Sequence, residues 1–338
     1  MSKTERESGF ELLRIISIIL IVSMHAMAPA FKTSNIVNRE LIIAINSISN
    51  IGVSLFILIS GYYGIRFRLE KLIKFIGLVW FYNIINFCND FFLLEKPIDV
   101  KEYISYLFPI LSCKYWFITC YLILFCFSKW INMMCKKLSK KELKRIIVIA
   151  TLFFVIAPTM LIFHEITNDL GKGIINMSLI YIIGQYIRLH GFPHIIKNKY
   201  IYIIICSYVI SFIANSALSE YCNTIVLRFA RDNNLFILLL AISVFYVFSI
   251  IKWKNKIINH MATFVFPLYL IHLSVLSLTN SYLSYNINDY SLWQHIGCGI
   301  IISIIACILI EAIRRAMMSR LNSTHYISMT INKHPHNH

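Results

Sequence analysis

One histidine lies deep in the first apolar segment of the chain. His25 stands within residues 10–31, a stretch dominated by Leu, Ile, Val, Ala and Met, and Arg14 precedes it by eleven residues. Because a helix turns about 100° per residue, eleven steps return to nearly the same face, roughly 16 Å further along the axis. Ionisable side chains inside a membrane are costly and usually face a protein interior or a water-filled path. The two residues are therefore candidate site residues. The alternative for His25 is a core histidine hydrogen-bonded to a neighbouring helix.

These side chains belong to the first of many apolar segments. Of the 338 residues, 58% are hydrophobic and only 14% are charged, and the mean hydropathy is +0.69. Soluble domains rarely have this composition, whereas runs of about twenty apolar residues can each cross a bilayer as a helix. The sequence predicts an all-α polytopic membrane protein of about ten transmembrane helices. The predicted spans are residues 10–31, 41–62, 72–92, 115–135, 146–164, 174–190, 199–217, 234–251, 262–281 and 292–313.

Charged residues alternate along the chain in a way that predicts the orientation of these spans. The formal net charge is +16, and the basic residues gather in every second loop, while most acidic residues lie in the loops between. Because cytoplasmic loops carry an excess of Lys and Arg, ten spans with both termini in the cytoplasm place these basic loops inside. We expect a cytoplasmic N-terminus over residues 1–9, a single membrane domain over 10–314 and a cytoplasmic, disordered tail over 315–338. A nucleic-acid-binding role would need a folded basic domain, which this pattern excludes.

A cluster of cations follows the second span. Arg66, Arg68, Lys71 and Lys74 lie at its predicted cytoplasmic end, and cations so close together suit a ligand with several phosphates. A cytoplasmic loop also needs some of these charges for orientation, and lipid headgroups can bind the rest. Both interpretations stay open on charge alone.

Aromatic and polar residues mark the fourth and ninth spans. The fourth begins with a Lys-Tyr-Trp-Phe string at residues 114–117, for which a membrane-boundary anchor is the default interpretation. The ninth contains Pro267, which kinks or locally unwinds a helix and frees carbonyls. Tyr269 and His272 follow, three residues apart on one face. His272 is therefore a second candidate histidine within the hydrocarbon. No CxxC or His/Cys cluster in the sequence indicates a metal site.

Together these motifs resemble the acyltransferase 3 family of integral membrane acyltransferases. Arg14 and His25, with ten residues between them, look like its first-helix signature, and residues 51–61 (IGVSLFILISG) are similar to its second-helix motif. Residues 114–117 resemble its aromatic motif, and residues 266–272 (FPLYLIH) resemble its late Tyr-x-x-His motif. The four matches occur in family order and cover most of the chain.

Two features depart from the family pattern. The Arg-x-x-Arg pair and the proline that often begin the third span are replaced by Lys71, Lys74 and Gly77. Lysine meets a phosphate as a point charge rather than bidentately, which leaves the details of the donor site open. In addition, no esterase-like domain follows the tenth span, as it does in some relatives, so the chain resembles the stand-alone form of the family.

The resemblance implies acyl transfer, commonly of acetyl from acetyl-CoA to a hydroxyl of a cell-envelope or exported glycan, by a multi-pass protein of the bacterial cell membrane. Acyl-CoA is then a substrate, and no bound cofactor is expected. Arg66, Arg68, Lys71 and Lys74 would meet the CoA phosphates.

The resemblance also implies roles inside the membrane. His25 would act as general base on the acceptor hydroxyl, for which an ordinary imidazole pKa of about 6.5 suits neutral pH. An acyl-histidine intermediate is the alternative mechanism. Arg14 would bind the donor or stabilise developing oxyanion charge. Supporting positions in the cavity wall are implied for Ser60, Tyr115, Trp116, Tyr269 and His272.

A transporter or flippase for a glycan or lipid-linked precursor is the alternative class, because intramembrane histidines also serve proton-coupled transport. Such a transporter is expected to carry acidic proton carriers in mid-helix. Asp90 lies near the outer end of the third span and Glu311 near the inner end of the tenth, and no predicted span has a clear central carboxylate. This favours the enzyme. A catalytically inactive relative serving as a sensor or scaffold is a third possibility, against which the presence of both Arg14 and His25 argues.

Overall fold

The computed structural model describes residues 7–161, 165–192 and 197–331. Over these residues the chain is helical without a strand, and the predicted all-α polytopic fold is confirmed. Short 3-10 or π turns adjoin several of the helices. The α-helices are α1 (Ser8–Met27), α2 (Ile36–Ser49), α3 (Ile51–Tyr63), α4 (Leu69–Cys88), α5 (Val100–Leu107), α6 (Trp116–Lys137), α7 (Lys140–Thr151), α8 (Ala157–Met160), α9 (Ile174–His190), α10 (Lys197–Cys222), α11 (Leu235–Ser249), α12 (Lys256–Met261), α13 (Val265–Tyr282) and α14 (Ser291–Ile331).

Nine helical stretches within the described ranges are long and apolar enough to cross a membrane. The remaining predicted span, residues 174–190, coincides with α9, a helix of 17 residues. At 1.5 Å per residue, α9 is about 25 Å long, at the short end of what a bilayer requires. Near its start, Asn176 donates a hydrogen bond to the carbonyl of Asp232, just before α11. Near its end, Arg188 lies over the ring of Tyr62 in the last turn of α3. α9 therefore joins the same two ends of the bundle as its longer neighbours.

The second predicted span is two helices rather than one. α2 ends at Ser49 and α3 begins at Ile51, so the helix predicted over residues 41–62 is broken at Asn50. The Asn50 side-chain amide donates to the Asn46 carbonyl at 3.0 Å, and such a bond competes with the backbone hydrogen bonds of the helix. The sequence prediction missed this break because the apolar pattern continues through it.

Other predicted span ends also shift. α4 continues as a π turn over Asn89–Leu93, and a second π turn over Leu152–Ile156 joins α7 to α8. The end predicted for the fifth span, at residue 164, lies outside the described residues. The tail expected to be disordered from residue 315 begins as helix, since α14 continues to Ile331. The sequence has no Gly or Pro between residues 300 and 331 to stop the helix.

Pro267 lies in the first turn of α13. A 3-10 turn over Ala262–Phe264 precedes it and connects α13 to α12. Proline is tolerated in the first turn because its missing N–H would have no intrahelical partner there. The predicted local departure from α-helix is therefore the change to 3-10 geometry just before α13.

α3 lies in the centre of the bundle. It packs most extensively against α9 and also against α1 and α11. Within it, Leu55, Leu58 and Ile59 are completely buried. Gly61 permits the close contact with α9, because a methyl group there would overlap the Tyr181 carbonyl oxygen. This packing fixes α1, which carries Arg14 and His25, against the core.

The bundle has two chemically different ends. The start of α1 and the finish of α3 lie together with the predicted cytoplasmic cations. This part of the bundle is termed the basic end. Phe10 of α1 contacts the rings of Tyr62 and Tyr63 of α3 there. α1 finishes and α6 begins at the opposite end. Arg14 therefore lies towards the basic end and His25 towards the opposite end.

Candidate active site

A cavity of about 770 Å³ lies at the basic end of the bundle. Its charged lining residues are Arg14, Arg66 and Lys71, and among the described residues that line it there is no carboxylate. Cations in a low-dielectric cleft concentrate anionic ligands. Much of the remaining wall is aromatic and offers an apolar surface to a ligand: Phe56, Tyr63, Phe75, Phe117, Tyr121, Phe125, Phe266 and Tyr269.

Arg14 faces this basic-end cavity from α1. Its Nη1 donates to both carboxylate oxygens of Glu11, at 2.8 and 3.1 Å, and the Glu11 side chain is buried. This charge-assisted pair holds the guanidinium in place while other N–H groups stay available for an anion. Because Arg14 precedes His25 by about 16 Å of helix, the two side chains cannot contact the same small chemical group.

The predicted cation cluster divides in two. Arg66 and Lys71 line the basic-end cavity, and neither forms an ion pair with any residue in the described ranges. Arg68 and Lys74 are exposed and do not line it. Lys74 pairs instead with Glu70, one turn away on the same helix. Two of the four predicted phosphate ligands are thus placed at the cavity.

Ser60 also lines the basic-end cavity. Its hydroxyl donates to the Phe56 carbonyl at 2.9 Å and lies 3.5 Å from the Tyr121 hydroxyl. Ser60 is therefore bonded within its own helix, with Tyr121 beside it in the wall.

His25 lies at two adjoining voids towards the opposite end. One is a chamber of about 30 Å³, and the other is a vestibule of about 300 Å³. Neither ring nitrogen of His25 has a hydrogen-bond partner in the part of the chain that the structure describes. An imidazole without a structural hydrogen bond is free to exchange a proton with, or to attack, a bound molecule.

His272 packs directly against His25. The two ring centroids are 5.2 Å apart with an angle of 48° between the planes, and His272 is only 1% exposed. Its Nδ1 lies 2.7 Å from the Tyr269 carbonyl oxygen. A carbonyl only accepts hydrogen bonds, so Nδ1 carries the proton and Nε2 carries a lone pair. That Nε2 is buried without a partner among the described residues.

Tyr269 stands between the two compartments. It lines both the basic-end cavity and the chamber beside His25, and its ring contacts those of Phe117 and His272 at 5.1 and 5.7 Å. Trp116 lines the chamber as well. The Tyr269 hydroxyl and the Trp116 indole N–H form no hydrogen bond with any described residue. Two hydrogen-bond donors thus remain unused on residues that line the chamber, and one of these residues, Tyr269, also lines the cavity.

The family comparison applies to this arrangement as a whole. The acyltransferase 3 family model, described as an acyltransferase domain, matches residues 7–312 of the 338-residue chain. The chain belongs to the acyltransferase 3 family. It is a multi-pass membrane acyltransferase, and the transporter alternative is not favoured. Comparisons with curated proteins and with solved structures give no match.

The fold brings most of the acyltransferase 3 motifs together, but Tyr115, predicted to support the cavity wall, lies elsewhere. Tyr115 lines neither the cavity, the chamber nor the vestibule. Its hydroxyl accepts a hydrogen bond from Asn86 at 2.6 Å and donates to Asn83 at 3.3 Å. Tyr115 therefore fastens the start of α6 to α4 and supports its neighbour Trp116 from outside the site.

Two residues absent from the predicted site of this acyltransferase lie beside His25. Lys172, in the loop before α9, and Asp232, in the loop before α11, line both the chamber and the vestibule. Their signal in the sequence is only that polar residues directly precede an apolar span. No spacing relates them to α1, because the contact is made by loops distant in the chain.

Proposed function

We propose that this acyltransferase moves an acetyl group from cytoplasmic acetyl-CoA to a hydroxyl of a glycan, either in the cell envelope or destined for export. We place it in a bacterial cell membrane with both termini in the cytoplasm. In this orientation the basic-end cavity opens towards the acetyl-CoA pool, and the vestibule faces the acceptor. The excess of cations at one end supports this orientation.

The donor is assigned to the basic-end cavity. Arg14, Arg66 and Lys71 supply positive charge for the CoA phosphates, and the aromatic walls suit the adenine and the apolar parts of the pantetheine arm. Since Arg14 and His25 are about 16 Å apart along α1, phosphates held at Arg14 leave the arm to carry the thioester towards His25. Of the two roles considered for Arg14, this spacing favours donor binding over oxyanion stabilisation.

A single observation carries the proposal: Tyr269 lines both the cation-bearing cavity and the chamber that holds His25. A thioester that reaches Tyr269 from the cavity meets a hydroxyl that enters from the vestibule. The membrane then separates the two substrates everywhere except at this wall.

The reaction follows from these positions. His25 removes the proton of the acceptor hydroxyl as its oxygen attacks the thioester carbonyl carbon. The oxyanion of the tetrahedral intermediate accepts hydrogen bonds from the Tyr269 hydroxyl and the Trp116 indole N–H. The C–S bond then breaks, and the CoA thiolate takes the proton from the His25 imidazolium. His272, whose ring packs against that of His25, stabilises the imidazolium.

The alternative mechanism gives a different intermediate. A His25 nitrogen attacks the thioester, CoA leaves, and the acceptor hydroxyl then attacks the acyl-imidazole. Purified protein incubated with acetyl-CoA and no acceptor, then digested for mass spectrometry, separates the two. The general-base mechanism predicts no acetyl-sized mass increase on the His25 peptide, whereas the acyl-histidine mechanism predicts one.

Acetyl-ester content of the envelope glycans tests the proposed function. Cells of the native host would lack the gene, carry the wild type or carry His25→Ala at equal membrane abundance, and the glycans would be analysed by mass spectrometry. We expect acetyl esters with the wild type and a loss of about 100- to 10,000-fold in their rate of formation with His25→Ala. His260→Ala is the matched control, because His260 is exposed on α12 and lines neither compartment. Unchanged acetylation in every strain, with a change only in the amount of surface glycan, would contradict this function and support a transporter.

A further inference from the structure

A buried carboxylate lines the same vestibule and chamber as His25, and the proposed reaction leaves it without a role. We propose that Asp232 anchors the acceptor: its carboxylate binds a ring hydroxyl beside the one that is acylated, and so determines which hydroxyl reaches His25. This inference rests on the proposed function and adds a specificity-determining residue to it. The acceptor class that it requires is a sugar ring with at least two neighbouring free hydroxyls.

Asp232 is placed where a ligand must pass. It lines the vestibule, the chamber beside His25 and a third small void next to the chamber. The residue is only 5% exposed, and its carboxylate forms no hydrogen bond or ion pair within the described part of the chain. A buried polar group without a partner is costly, and buried carboxylates are normally paired. A bound ligand is the partner that the position calls for.

The backbone around Asp232 is clamped independently of its side chain. The buried Asn176 amide donates to the Asp232 carbonyl at 3.1 Å and to the Gly171 carbonyl at 3.0 Å. Gly171 has a positive φ of 79°, and a side chain there would overlap the backbone of Asn233. The loops before α9 and α11 are thus held together through main-chain groups. Replacement of the carboxylate by an amide leaves this clamp intact.

Asp232 forms no ion pair with the arginines near it, because they are already paired with another carboxylate. Arg228 and Arg231, which also line the vestibule, both bond to Glu165, at 3.2 and 2.7 Å. The third cation that lines the vestibule is Lys172. Its ammonium forms no ion pair or hydrogen bond with any described residue. One carboxylate and one ammonium therefore face the same space without contacting each other.

The chemistry of the walls selects the ligand. A carboxylate can only accept hydrogen bonds. Groups that only accept, such as a phosphate or a second carboxylate, cannot donate to it. Hydroxyl groups can donate to Asp232 and accept from Lys172 at the same time. This combination favours an uncharged polyhydroxylated ring over an anionic one at this position.

Asp232→Asn is the variant that tests the anchor. It would be expressed in the native host lacking the gene, at the same membrane abundance as the wild type, and the ring position of every acetyl ester would be determined by NMR of the purified envelope glycan. The affinity of each purified protein for acetyl-CoA would be measured in parallel. Asp289→Asn is the control, because Asp289 is an exposed carboxylate in the turn before α14 and accepts its hydrogen bond from the Ser291 N–H.

We expect Asp232→Asn to lower the acetyl-ester content about 10-fold or more, the usual effect of losing a charge-assisted hydrogen bond, with the remaining esters spread over neighbouring ring positions. Its acetyl-CoA affinity is expected to stay within about twofold of the wild type, since the donor cavity lies at the other end. Ester content and position unchanged from the wild type would overturn the anchor. A parallel loss of acetyl-CoA affinity would also overturn it, because the carboxylate would then be structural. Failure of the proposed function itself has a separate signature, namely acetylation that survives His25→Ala.

Discussion

The basic-end cavity and the vestibule differ in the charges of the residues that line them. The cavity is large, holds Arg66 and Lys71 near solvent and has no carboxylate among its described lining residues. The vestibule is smaller and combines His25 with one buried carboxylate, Asp232, and one unpaired ammonium, that of Lys172. Its two other cations, Arg228 and Arg231, are already paired with Glu165. Cations alone suit a ligand with several negative charges, whereas a balanced set of donors and acceptors suits a neutral ligand with directional hydrogen bonds.

This contrast explains how one bundle can hold two dissimilar substrates. In the proposed function, a highly charged donor binds where water still screens its phosphates, and only its uncharged thioester approaches the membrane interior. The proposed polyhydroxylated acceptor binds from the other end, where each hydroxyl needs a partner. Tyr269 lies where the two regions meet, so variants on either side of it should affect different steps.

Among the variants that compare the two regions, Tyr269→Phe is expected to have the largest effect. It removes the hydroxyl at the wall but keeps the ring that packs between Phe117 and His272. Loss of an oxyanion donor typically lowers turnover by about 100- to 1,000-fold, while acetyl-CoA affinity should not change. The matched variant is Tyr115→Phe, which loses only the hydrogen bonds to α4 and should cost about 1 kcal/mol of stability. Single-turnover acetyl transfer and thermal unfolding of both proteins check this difference, and equal turnover for the two would contradict it.

Arg14→Ala should separate binding from chemistry. If Arg14 holds the donor phosphates, its loss weakens acetyl-CoA binding by about 10- to 100-fold, the effect of removing a charge-assisted hydrogen bond. Arg39→Ala is the comparison, because Arg39 pairs with Glu40 and Glu220 at the opposite end. Calorimetric titration with acetyl-CoA measures both. If Arg14→Ala binds acetyl-CoA with normal affinity but its chemical step is slow, Arg14 stabilises the oxyanion rather than binding the donor.

Lys71→Ala and Lys74→Ala are expected to give the smallest difference in acetyl-CoA affinity. They compare a residue of the predicted cation cluster that lines the cavity with one that does not. Lys71 lines the cavity, whereas Lys74 is exposed and paired with Glu70. Loss of one phosphate contact by a point charge is expected to weaken acetyl-CoA binding a few-fold, and less so at high salt. Lys74→Ala should bind like the wild type. The same titration at low and high ionic strength tests the pair, and equal losses would mean that the whole cluster binds the donor.

The sequence predicted those parts of the site that one helix or one short segment carries. Arg14 and His25 share a face because both lie on α1, and helical periodicity is regular enough to place them. The same reasoning placed Tyr269 near His272 on α13. It could not divide Arg66 and Lys71 from Arg68 and Lys74, because the direction of a loop side chain depends on contacts with other helices.

Contacts between segments far apart in the chain could not be predicted from the sequence. Asp232 and Lys172 reach His25 only because Asn176 and Gly171 hold two loops together, and no periodic pattern encodes that approach. The break at Asn50 was missed for a related reason, since one side-chain hydrogen bond to the Asn46 carbonyl interrupts an otherwise continuous apolar pattern. Family resemblance placed Tyr115 in the site, whereas its hydrogen bonds fasten it to α4.

In the proposed reaction, the acetyl group enters at the basic end and leaves at the vestibule. Inside-out and right-side-out membrane vesicles from cells that express the wild type would each receive membrane-impermeant radiolabelled acetyl-CoA on their outer surface. Only inside-out vesicles, which expose Arg66 and Lys71, are expected to incorporate label. An added acetyl esterase is expected to remove that label only after detergent opens the vesicles. Equal incorporation by right-side-out vesicles, or label removed without detergent, would contradict transfer between the two compartments.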